Sequence, residues 1–294
     1  MQIPTCLHAG IAATGIAVAG IAAMATASAA PVTQSQSPPT VAQEVRPVPV
    51  PPGGLVTSFV RNQVIYCSII CPLAVRTGVT AFAATGQAPG TFRTALQSED
   101  PVRAIGVAAA SITGPTDAAA EETILADGTE VAPRALNAFE VGVVGLLNVV
   151  PAAAGGLPAI ATAVQTARQD TFTAQNLPIV PNPTPTVRPQ GVVQVAVVGA
   201  INVGAAVAFP AFNDVLSGAF QTPDAAAREL AATGDPARAV AAGVHTVTGV
   251  QTAAGTVIAD SVVSAVDNIR AATGQSGPAD RMLPRRSFAA NNAG

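Results

Sequence analysis

The sequence predicts an all-α protein, a multi-helix bundle built from internally repeated helical hairpins, and three observations carry that prediction. Asp100-Pro101 and Asp235-Pro236 read as helix starts, because Asp accepts the orphan amide bonds of a first turn and Pro supplies a preset φ. Two uncharged runs, Val141 to Ala167 and Gly191 to Asn213, share the order Val-Val-Gly-x-x-Asn-Val at 143–149 and 197–203 and read as a repeated structural unit. From Val250 to Ala272 apolar residues recur at helical spacing, with Asp260, Asp267 and Arg270 on the opposite face.

Composition narrows the function classes. Charged residues make up only 11% of the chain, so the surface is that of either a bland soluble bundle or a membrane-associated one. Lysine is absent and every basic residue is Arg, which excludes a Walker A phosphate loop, a pyridoxal Schiff base and a lysine nucleophile in cis. A net charge of -3 with scattered Arg residues gives no footprint for nucleic acid.

In chain order, residues 1–29 read as a secretory signal peptide. An apolar stretch from Ala9 to Ala25 leads to the small-residue site Ala27-Ser28-Ala29, although the segment before it lacks Arg and Lys. Cys6 precedes the apolar stretch, so no lipid anchor is implied. Residues 30–53 form a Pro-rich linker of extended character. A helical domain is expected over 54–272, in two related halves joined by the Pro-rich connection 170–190, where five Pro residues from Pro178 to Pro189 forbid a helix. Its expected pieces include Leu55–Cys71, Pro72–Ala84, a short piece near 92–97, Pro101–Thr113, and Pro115 to about Ala126, stopped by Asp127-Gly128. Thr222-Pro223 reads as a further start. Residues 273–294 lose periodicity and read as a disordered tail.

A second internal match supports duplication: Asp100 to Ile105 and Ser111 to Gly114 align without gaps to Asp235 to Val240 and Thr246 to Gly249. These Asp-Pro segments followed by Ala/Ile-rich helices resemble alanine-rich exported proteins of mycobacteria, including regions beyond the heads of the PE and PPE families. No Pro-Glu or Pro-Pro-Glu head follows the export signal here. The resemblance implies an actinobacterial envelope context and no known reaction.

Candidate sites are few. Cys67 and Cys71 are the one pair with possible chemistry. In a regular helix a four-residue spacing leaves the Cβ atoms too far apart, but Pro72 is expected to break the helix between the sulfurs. Either a disulfide closes that bend or two inert thiols are buried there. Asn148 and Asn202 occupy equivalent places in the uncharged runs. Flanked by apolar residues, they are read as register-setting interhelical hydrogen bonds, against the alternative of exposed turn residues. His245 is expected to be a partly buried structural histidine, and Asp117, Glu121 and Glu122 a solvated face. No catalytic, cofactor-binding or metal-binding residue is assigned.

The expected function is therefore that of an exported, cell-envelope or secreted structural or interaction protein that is not an enzyme, its partner an unknown protein or envelope component. The alternative is a membrane-inserting or pore-forming helical protein that uses 141–167 and 191–213. A close-packed core of small residues accounts for the same runs without lipid.

Overall fold

The computed structural model describes residues 49–274, and over these the chain is all-α. The signal peptide, most of the linker and nearly all of the tail expected from sequence lie outside the described residues. The helices are α1 (Gly54–Ala95), α2 (Pro101–Ala126), α3 (Ala132–Leu147), the single turn α4 (Val149–Ala152), α5 (Gly156–Gln175), α6 (Gly191–Ala206), α7 (Phe212–Thr233) and α8 (Pro236–Ala272). Two π-helical segments, Asp127–Val131 and Val207–Ala211, link α2 to α3 and α6 to α7, and a 3-10 turn, Ala153–Gly155, leads into α5.

The helices are longer than the Pro spacing implies. Pro72 and Pro89 lie inside α1, Pro115 inside α2 and Pro223 inside α7, so none of them starts or ends a helix. A single Pro removes one amide donor and crowds one carbonyl, a local cost that long flanking stretches of good helix formers absorb. Asp127-Gly128 likewise widens the helix into a π turn instead of stopping it. Pro133 follows that turn; it has no amide to give the Thr129 carbonyl, which accepts instead from Asn182 N at 2.8 Å. Pro151 lies in α4, Pro158 in the first turn of α5 and Pro210 in the second π segment, so in the two uncharged runs the regular helix is interrupted at or near proline. The non-helical connection begins after Gln175, later than expected.

The described residues divide into two compact units, each drawing on both sides of the 170–190 connection. The first consists of Cys67–Asp127 and Phe209–Val257. Its spine is the antiparallel pair α2 and α7, brought together by small residues: a β-carbon on Gly106 would lie 2.2 Å from Ala231 N. Asp100 caps α2 by accepting from Val102 N and Arg103 N at 3.0 Å each, and Asp235 caps α8 in the same way from Ala237 N at 2.8 Å. Between α7 and α8 the turn needs Gly234, whose φ of 68° is left-handed.

The second unit consists of residues 49–66, Gly128–Ala208 and 258–274. Here α3 and α5 form a hairpin closed by α4 and the 3-10 turn. The return connection is pinned to α3 by Asn137, whose Oδ1 accepts from Thr186 N at 2.6 Å while its Nδ2 donates to Thr186 Oγ1 at 3.1 Å. Two glycines make close helix contacts: Gly145 of α3 meets Ala167 of α5, and Gly199 of α6 meets Ala265 of α8.

Candidate functional site

Side-chain polarity is inverted across much of the second unit. Along α1, Gly54, Ser58, Asn62 and Tyr66 recur every four residues and are buried, so one face of the helix is polar and turned inward. On the other faces Val56, Phe59, Val60 and Val64 are exposed. The same holds on α3, where Arg134, Asn137 and Glu140 are buried and Phe139 and Leu146 are exposed.

Most of the buried polar groups hold helices together. Arg134 Nε and Nη2 donate to Leu177 O, Nη2 also to Gln175 O, and Nη1 to Asn62 Oδ1 and Tyr66 OH, so all five of its N–H groups have partners. Its acceptors include carbonyls at and just beyond the end of α5, where the helix dipole leaves partial negative charge; that placement compensates a buried cation that has no carboxylate beside it. The guanidinium also lies 5.8 Å from the Tyr66 ring centroid. Asn62 Nδ2 donates to Gln175 O at 2.8 Å and Asn176 Nδ2 to Ser58 Oγ at 2.9 Å, completing the dock between α1 and α5.

Above this network lies an apolar groove of about 520 Å³, walled by Leu55 and Phe59 of α1, Phe139 and Leu146 of α3, and Val164 and Arg168 of α5. Arg168 donates to Val50 O and Pro51 O at 3.1 and 2.8 Å and so holds the end of the linker against α5.

The residues singled out from sequence fall as follows. Asn148 is an exposed turn residue just past α3, yet its Oδ1 accepts from Gln194 Nε2 of α6 at 2.6 Å; half-buried Asn202 of α6 bonds Glu140 of α3. Both Asn residues thus join the same two strands of helix in one antiparallel register. Cys67 and Cys71 are disulfide-bonded with Cα atoms 5.2 Å apart, inside an α1 that continues through Pro72. Glu122 is exposed and ion-paired with Arg76 at 2.6 Å. Asp117 is half-buried, and its carboxyl is pushed up to about 6 by burial, then by Glu121 and Asp224, with Arg228 opposing. His245 is exposed, a correction: Gly243 and Thr248 take the inward positions of α8 and leave His245 on the outer face.

Two residues that the sequence reading passed over matter most in the second unit, Arg134 and Glu140. The carboxyl of Glu140 is pushed up to about 7 by burial, with the Asn202 bond opposing, and its Oε1 has no hydrogen-bond partner. Their signal was position: in a chain this poor in charge, both sit on the helix that enters the uncharged run. Among the described residues no cluster of three or more His, Cys, Asp or Glu side chains could hold a metal ion. No family model matches the chain, and no curated protein or solved structure is detectably similar to it.

Proposed function

We propose that the chain is an exported protein of the cell envelope, or a secreted one, that works as a structural or interaction module through its helix surfaces and carries out no reaction. The observation that supports this most is the inverted polarity: the buried polar groups are largely spent on joining helices, while Val56, Phe59 and Val64 of α1 stand 69%, 55% and 65% exposed. A surface of that kind gains free energy only when something covers it. The resemblance to alanine-rich exported proteins of mycobacteria supplies the setting. Fractionation with intact-mass measurement tests the reading. A chain beginning at Ala30 in envelope or culture filtrate is expected; a full-length cytosolic protein overturns it.

A second reading, a membrane-inserting or pore-forming bundle, is favoured by one observation. Four helical stretches, Gly54–Ala95, Pro101–Gln175, Gly191–Thr233 and Pro236–Ala272, are long and apolar enough to cross a membrane. Release of dye from liposomes by the exported protein would select it over the first reading.

A further inference from the structure

The hairpin of α3 and α5 ends in a turn unlike the rest of the second unit's surface. No charged residue occurs from Val141 to Ala167. At the turn Leu146, Val150 and Leu157 are 65%, 73% and 81% exposed, and the residues between them are Ala, Gly, Pro, Val, Leu and Asn. Two polar groups there already have internal partners: Asn148 Oδ1 accepts from Gln194, and Thr162 Oγ1 donates to Pro158 O at 3.0 Å. Removing the Asn148 oxygen and the Thr162 hydroxyl from water costs little, because their bonds persist in an apolar medium, while the exposed Asn148 amide group stays at the headgroup level.

We propose that this turn docks shallowly into the acyl layer of a lipid surface, with Leu146, Val150 and Leu157 as the inserted side chains. A protein partner or a second copy of the chain would also cover them. Protein interfaces, however, keep a polar and charged rim around an apolar centre, and here the charge-free zone extends past the exposed side chains on both arms of the hairpin. A lipid surface needs no such rim. Depth is limited by the turn itself: the 3-10 segment Ala153–Gly155 and Gly156, with a positive φ of 78°, interrupt the helical ladder, so carbonyls there must remain among headgroups and water. Insertion is thus of the order of 5–10 Å, as for interfacial helices, and does not span the bilayer. Because the inserted zone carries no charge, docking is insensitive to lipid charge and to salt.

This inference takes its setting from the envelope reading, but its test does not depend on where the protein is found. The chain contains no tryptophan, so Leu157→Trp introduces a sole indole at the turn, excited apart from Tyr66 at the red edge, and Gln251→Trp on α8 serves as an exposed control. Both are measured in the full chain with phosphatidylcholine vesicles carrying brominated acyl chains, with and without anionic lipid. Expected are a blue shift and bromine quenching of the Leu157→Trp reporter alone, unchanged between low and high salt, without release of entrapped dye. Because the reporter is local, lipid contact made by other segments does not move it. Val150→Glu in the Leu157→Trp background should reduce quenching at least tenfold while the helical circular dichroism stays the same. Absence of quenching overturns the proposal, as does a blue shift that follows protein concentration without lipid, which would identify a second copy as the occupant. Quenching that requires anionic lipid and vanishes in salt also overturns it. A cytosolic location found by fractionation would sink the envelope reading alone.

Discussion

Gly145 on α3 faces Ala167 on α5 so closely that a β-carbon on the glycine would lie 2.7 Å from the alanine's, nearer than real β-carbons approach. The corresponding Gly199 on α6 would meet Ala265 at 3.0 Å. Gly145→Leu and Gly199→Leu are therefore expected to overpack these contacts, each at about 1–3 kcal/mol. Chemical unfolding of the purified variants checks this, and wild-type stability in both would refute close packing at the repeated motif.

Glycine positions in the first unit should split by surroundings. At Gly106 the added β-carbon would strike the α7 backbone at Ala231, whereas Gly78 on α1 has nothing within 4 Å. Gly106→Ala is expected to cost about 2 kcal/mol or more, since a backbone cannot step aside as a side chain can. Gly78→Ala should instead stabilise by roughly 0.5–1 kcal/mol, by removing freedom from the unfolded chain within a helix. Thermal melts of the two variants should move in opposite directions.

Arg134 is the pin between α1, α3 and the end of α5. Arg134→Met keeps most of the stem but abandons the carbonyls of Gln175 and Leu177 together with Asn62 and Tyr66, an expected loss of about 3 kcal/mol. Arg134→Lys should not restore it, because a single ammonium cannot reach that fan of acceptors. Hydrogen exchange at 172–177 provides the local readout, with faster exchange expected in both variants.

Glu140 gives a pH dependence of defined sign. Burial raises its carboxyl from the ordinary 4.5 to about 7, so between those values the folded chain keeps a proton that the unfolded chain has released. The stability from this group is fully present below the lower value and is lost as pH rises through the upper one. Asp117 and Asp214, each pushed up to about 6 chiefly by burial, act in the same direction. Glu140→Gln should flatten the slope and stabilise the protein at pH 8 by on the order of 2 kcal/mol. An unchanged slope in that variant would assign the dependence to the Asp residues, Asp127 included, whose carboxyl burial also pushes up.

Peptide mapping under non-reducing conditions should recover Cys67 and Cys71 in one oxidised peptide from protein isolated without reductant. Because the closed loop is so short, Cys67→Ser with Cys71→Ser is expected to cost no more than about 2 kcal/mol. Free thiols in freshly isolated protein would count against the disulfide.

What the sequence determined by itself was local. Helical class followed from composition and period, and the Asp100 and Asp235 starts followed from side-chain chemistry within three residues of each cap. These are short-range interactions, complete before any helix meets another. Tertiary structure decided the rest. Whether Pro72, Pro115 and Pro223 end a helix depends on the packing of the turns on either side, which no window of sequence contains. Which face of α1 turns inward could not be read from hydrophobicity, because the inward face carries Ser58, Asn62 and Tyr66 and the outward face Val56, Phe59 and Val64. Ser58 and Asn62 are buried because the end of α5 offers them partners more than a hundred residues away in the chain, at Gln175 and Asn176. Hydrogen bonds across helices, alongside apolar burial at Val144, Ala167 and Val198, shaped the interior of this unit, and only the folded chain brings those partners together.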